Sequence, residues 1–174
     1  MSYHSSFVKT EAELALGVPL LPISKDGSEI DIVEEALSFF RATIMFKNFK
    51  PLGPADKIIV YLTVFIQKCL NEIERKKPRA DKDQAEKIIE DLVKEQVPFS
   101  NDNDFFMRKL GLLGQPKNGS EEEKFRKYAA QLKEACGKRL LLKLWHPEHG
   151  DMDQKYWLGF GKRPFLGQKF NRKL

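Results

Sequence analysis

One stretch of this chain is apolar on every side, and the others are apolar on one side only. The first, IIVYLTVFIQKCLNEI at 58–73, carries no charge from Ile58 to Gln67. Ile58, Ile59, Val60, Tyr61, Leu62, Val64, Phe65 and Ile66 cover the whole circumference of a helix, which marks an element buried all round. A membrane span takes about 20 apolar residues, roughly twice what is available before Lys68 and Glu72. The stretch therefore predicts the central helix of a soluble domain. Its β-branched and aromatic residues also suit a strand, but its length through Lys76 and the flanking Gly53-Pro54 favour helix.

Around it the pattern predicts amphipathic helices. Asp31 reads as an N-cap with Glu34 in capping-box register. Ile32, Val33, Ala36, Leu37, Phe40 and Ile44 then share one side of a helix running to about Phe46. Asp81 and Gln84 form a second box before Ala85, Ile88, Ile89, Leu92 and Val93, an i, i+3, i+4 stripe. Ser120 with Glu123 reads as a third, with acids in the first turn and Phe125, Tyr128, Ala129, Leu132, Cys136, Leu140 and Leu144 following at helical spacing. Lys138, Arg139 and Lys143 suit the negative end of that helix dipole. A polar turn to Asp153 leads to a short helix near 156–160.

Between these lie segments without periodicity. Residues 1–30, with Pro19 and Pro22 around Leu20-Leu21, predict an extended segment. Residues 99–119 predict a long connection with at most one short helix; such loops are functional or packed by their own side chains. There is no internal repeat and no sustained heptad. The expected fold is all-α: a single helical domain over 1–174, with one long central helix surrounded by amphipathic helices.

At 174 residues one domain is expected, large enough to be stable without a disulfide or metal. Cys69 and Cys136, both in helix-like segments, suit reduced thiols in a cytosolic protein. The start lacks the basic and apolar blocks of a signal peptide. Net charge is +5, but 155–174 holds six basic residues and no acidic one, so the rest sums to −1. In that tail Lys155, Lys162 and Arg163 are interleaved with Trp157, Phe160 and Phe165. Such a mixture suits an acidic protein partner, with aromatics as anchors, or single-stranded nucleic acid, through phosphates and stacking.

No catalytic constellation is legible. There is no phosphate-binding glycine loop, no H-E-x-x-H and no C-x-x-C. His146 and His149, with Glu148 and Asp151, can be drawn as metal ligands, but a polar turn after a helix is the plainer reading. Neither cysteine has a base placed to activate it. The expectation is no enzyme, no cofactor, no metal and no membrane insertion.

Several ordered pieces resemble the actin-related protein 2/3 complex subunit 3 family, small accessory subunits of the assembly that nucleates branched actin filaments. They are Tyr3-His4-Ser5-Ser6, Leu20-Leu21-Pro22-Ile23, Asp31-Ile32-Val33-Glu34-Glu35-Ala36 and Phe46-Lys47-Asn48-Phe49. Ala55-Asp56, Tyr61-Leu62-Thr63 and Cys69-Leu70 follow, then Lys155, Trp157, Phe160, Lys162, Arg163 and Phe165 at the family's spacing. Residues 99–119 depart most from it. The resemblance implies a helical, non-catalytic subunit held against an actin-related protein, near the mother filament at a branch. Its implied partners are the actin-related proteins, the other subunits, the actin filament and Wiskott–Aldrich-type promoting factors, in the cytoplasmic and cortical actin cytoskeleton. The competing class is a basic helical nucleic-acid-binding module using the tail.

Overall fold

Helix α2 (Pro54–Arg75) lies where the apolar pattern puts it, at the centre. Every residue from Ile58 to Gln67 is buried. The computed structural model describes residues 3–76, 80–145, 152–167 and 174, with side chains of the last helix from Trp157 onward. Against α2 pack α1 (Ile32–Met45), α3 (Lys82–Lys94), α5 (Gly119–Leu144) and α6 (Met152–Gly161). Together they form one mostly helical domain, as the pattern implies. No described helix is long and apolar enough to cross a membrane. The last helix begins about a turn earlier than expected, so Asp153 sits in its first turn, where an acid suits the dipole.

Helix starts follow the capping chemistry, with two corrections. Asp81 and Gln84 form both halves of a capping box at α3. Asp31 caps α1 by accepting from the Glu34 N–H at 2.9 Å. The Glu34 carboxylate, however, accepts from Lys143 at 2.8 Å instead of closing the box. At α5 the cap is Asn118, not Ser120; its side chain accepts from the Glu121 N–H at 2.9 Å. Asn caps at least as well as Ser, and Glu121 favours the longer start because its carboxylate accepts from the Leu16 and Lys117 N–H groups at 2.8 Å each.

Two helix contacts need a missing side chain. A Cβ on Gly137 of α5 would lie 2.7 Å from Ile89 Cγ2 and 3.2 Å from Val93 Cγ2 of α3. A Cβ on Gly161 would lie 3.0 Å from the Asn71 nitrogen and from Leu70 Cβ of α2. Beside the first crossing, the buried Lys133 reaches the open end of α3, donating to the Glu95 carbonyl at 2.6 Å and to Leu92 at 3.4 Å. It supplies a cation to unpaired carbonyls at a helix C-terminus. Its burial pushes the ammonium pKa down.

The N-terminal segment holds the only β-strands among the described residues. Strands β1 (Leu14–Ala15) and β2 (Val18–Pro19) pair antiparallel, Leu14 opposite Pro19 and Ala15 opposite Val18. Leu16 and Gly17, at φ 53° and 77°, make a two-residue turn in the left-handed region, which matches hairpin twist. Leu16 tolerates this conformation because both its backbone groups are bonded: its N–H donates to Glu121, and its carbonyl accepts from Gly114 N–H at 2.8 Å. The hairpin and a 3-10 turn (Ser6–Lys9) both pack on α2. Residues 99–119 pack on the helices: Phe106 stacks on Tyr61 of α2 at 5.9 Å and Phe105 lies 6.3 Å from Phe125 of α5, both buried with Met107 around the short α4 (Phe106–Lys109).

Candidate partner-docking surface

Helix α6 carries Lys155, Trp157 and Phe160, the turn after it carries Lys162, Arg163 and Phe165, and α2 positions both. Gly161 permits close approach, Gln67 Nε2 donates to the Arg163 carbonyl, and Leu158 and Phe165 are buried. Trp157 is half-buried and stacks on Phe40 of α1, with centroids 5.5 Å apart. Phe160 is also half-buried, with the Arg41 and Arg163 guanidinium carbons 5.4 and 5.1 Å from its ring centroid. Lys162 is exposed and pairs with Glu74 at 3.0 Å. Lys155 belongs to α6, but its side chain lies outside the described residues, as do 168–173 and the histidines at 146 and 149.

Four of the six candidates divide by exposure. Phe165 and Trp157 join the domain, while Lys162 and Arg163 face outward. An aromatic buried in the core, and another stacked on Phe40, are not offered to nucleic-acid bases, which takes Phe165 and Trp157 out of the stacking that the nucleic-acid reading needs. Sequence reasoning missed Arg41, Gln67 and Glu74, because each is distant in sequence and ordinary in its own helix.

A second polar cluster also escaped the sequence. The carboxylate of Asp56, fully buried in the first turn of α2, accepts from the Ser5 and Leu52 N–H groups at 2.8 Å and contacts His4 Nδ1 at 2.7 Å. The Glu35 carboxylate of α1 accepts from the Ser5 hydroxyl at 2.6 Å, from the Ser6 N–H at 3.0 Å and from the Ser6 hydroxyl. A serine, a histidine and carboxylates share this corner, so nucleophilic catalysis is the chemistry to consider. Both hydroxyl protons are directed to Glu35, leaving neither serine coupled to the imidazole as a base-activated nucleophile requires. The cluster ties the N-terminal residues to two helices.

Elsewhere the chemistry is quiet. Burial pushes the Cys69 and Cys136 thiols up, away from the reactive thiolate. Among the described residues no group of three or more His, Cys, Asp or Glu side chains is placed to hold a metal. Asp31 and Arg139 form a nearly buried fork, with contacts of 2.6 and 2.8 Å, and Arg139 also donates to the Ser24 carbonyl at 2.7 Å. Burial raises the Asp31 carboxyl, but the Arg139, Glu34 and Ser24 hydrogen bonds outweigh it, and the net pKa lies below the ordinary value. Arg139, read above as a dipole-end charge, is therefore a link between α5, α1 and the N-terminal segment.

On this mostly helical domain Lys162 and Arg163, exposed just beyond α6, offer a cationic surface. The model of the family P21-Arc, ARP2/3 complex ARPC3 (21 kDa) subunit, matches residues 1–170, and the chain belongs to that family. It is 36% identical to the actin-related protein 2/3 complex subunit 3 of Arabidopsis thaliana, covering 95% of this chain and 97% of the relative. It is 32% identical to the Dictyostelium discoideum protein of the same name, over 97% and 99% of the two chains. It is 29% identical to that of Schizosaccharomyces pombe, over 96% and 98%.

Three of the stretches that carry the resemblance now have a joint physical meaning. His4, Ser5 and Ser6, then Glu35, then Asp56 meet in the cluster described above.

Proposed function

We propose that this chain is a non-catalytic structural subunit of an Arp2/3 complex, in the cytoplasmic actin cytoskeleton, where it supports nucleation of branched filaments. The full-length family match carries this reading. Its partners are the actin-related proteins, the other subunits, the actin filament and Wiskott–Aldrich-type promoting factors, and its finer location is cortical actin. The α6 region, with Lys155, Trp157, Phe160, Lys162, Arg163 and Phe165, is the proposed contact with an acidic actin or actin-related surface, including the mother filament. Trp157 and Phe165 hold the element in place and Lys162 and Arg163 supply the charge. The geometry supports that division, since the aromatics pack inward and the cations do not.

Two variants test it in the reconstituted complex. Truncating a large buried aromatic costs about 3–5 kcal/mol; Trp157 is half-buried, so Trp157→Ala should lose toward the lower end and deplete the subunit from the complex. Lys162→Glu with Arg163→Glu should fold and assemble but branch poorly, most clearly at low salt, where exposed charges are least screened. Branching by the charge-reversed complex equal to the parent at every salt concentration would remove the electrostatic contact.

A further inference from the structure

A groove of about 810 Å³ runs between the extended segment at 20–25 and α5. Tyr128 holds that segment in place, donating its hydroxyl to the Leu21 carbonyl at 2.8 Å, and Arg139 holds it again at Ser24. Half-exposed Leu20, Ile23 and Ala135 leave an apolar floor open to solvent. On α5 the lining residues Lys124, Lys127, Tyr128, Gln131, Ala135 and Lys138 recur at helical spacing. From first to last they cover about 21 Å at 1.5 Å per residue.

The charge around the floor is uneven. Four lysines line the groove, at 25, 124, 127 and 138, against two glutamates, Glu13 and Glu134. Lys124 pairs with Glu13 at 2.7 Å and Lys138 with Glu134 at 3.0 Å. Lys25 and Lys127 have no ion-pair partner among the described residues. The lysines are spread along the groove instead of converging on one point. That excludes the geometry of a single-phosphate site and fits carboxylates repeated along a segment.

We propose that this groove docks an acidic amphipathic helix of a partner protein, its apolar side on Leu20, Ile23 and Ala135 and its carboxylates toward Lys25 and Lys127. The floor and stripe match the length of about four helical turns, and laying an apolar helix face in a groove is a recurrent mode of recognition. The site shares no residue with α6, so it stands or falls separately from the contact proposed there.

The test uses the full chain and a fluorescein-labelled probe helix of about 15 residues, with leucines at i, i+3, i+4 and glutamates elsewhere. A peptide of the same composition with scattered leucines and a single-stranded DNA of similar charge are the comparators. Fluorescence anisotropy should show the probe binding about tenfold tighter than the scattered peptide, and weakening with salt. Lys127→Glu and Ala135→Arg, both on the surface side of α5, should each weaken it about tenfold without changing the thermal melt. Absence of probe binding, equal binding of both peptides, tighter binding of the DNA, or indifference to both variants would overturn the proposal. So would sedimentation showing a dimer of this chain that Ala135→Arg dissolves, since the groove would then belong to a second copy.

Discussion

Replacing Arg139 by Met should destabilise the domain, because it removes the side chain that joins α5 to α1 and to the N-terminal segment. Asp31 is the cap of α1, the acceptor for the Ser24 N–H at 2.8 Å and the fork partner of Arg139. Its side chain is 7% exposed and that of Arg139 12%, so little water replaces a lost partner. Breaking a buried pair by removing one member costs about 3–5 kcal/mol. Asp31 keeps two backbone donors after Arg139→Met, which places the expected loss near the lower end, about 3 kcal/mol. For a domain of this size that lowers the melting temperature by roughly 6–12 °C.

The pH dependence has a definite sign. The Asp31 carboxyl titrates lower in the folded state than in the unfolded chain. Between the two values the unfolded chain binds more protons, so this contribution is present above about pH 3.9 and is lost as pH falls through the lower, folded value. The variant loses most of the Arg139 share at once. The gap between parent and variant should therefore be widest near neutrality and narrow in acid. Thermal melts followed by circular dichroism at pH 7, 5 and 3 read both quantities. A variant melting within about 2 °C of the parent at pH 7, or a gap that widens toward pH 3, would refute the reasoning.

Two further changes probe the core. Phe65→Asp puts an unpaired carboxylate at the fully buried midpoint of α2 and should abolish soluble folding, since the cost approaches the whole stability of about 5–15 kcal/mol; native helicity with an unchanged melt would contradict this. Gly137→Ala gains about 1 kcal/mol of helix propensity but drives a methyl against the branched side chain of Ile89, and overpacking of about 1–3 kcal/mol should win; a urea midpoint above the parent's would show that α3 yields.

The central helix was legible because burial on all sides leaves no polar stripe, and composition alone reports that. The amphipathic helices were legible for the same reason, one face at a time. The starts of α1 and α5 were read less well, because a capping box is local and its glutamate has other offers. Glu34 went to Lys143, and the cap of α5 lies two residues before Ser120, at Asn118, where Glu121 is tied to the hairpin and to Lys117. The hairpin itself was hidden: strands of two residues show no alternation, and Leu16 is not a residue that signals a left-handed turn. Lys133 reads like any other lysine until the C-terminus of α3 arrives beside it. On α6 and just beyond it the sequence marked a mixture of aromatics and cations, but Arg41, which shares Phe160 with Arg163, comes from a helix more than a hundred residues earlier.

The hydrogen bonds that fasten the N-terminal segment to α5 join residues very far apart along the chain. Leu16 to Glu121, Leu21 to Tyr128 and Ser24 to Arg139 are separated by 105, 107 and 115 positions. For a helical protein these are unusually long loops to close, and closure over such distances slows folding. Synthesis adds a delay of its own: at about 5–20 residues per second, the segment waits roughly 5–20 s for its anchors to be made. During that interval Leu16, Leu20 and Leu21 have no α5 to rest on. A segment made well before its anchors is thus among those settled latest, and the time it spends uncovered is set by the ribosome as much as by the fold.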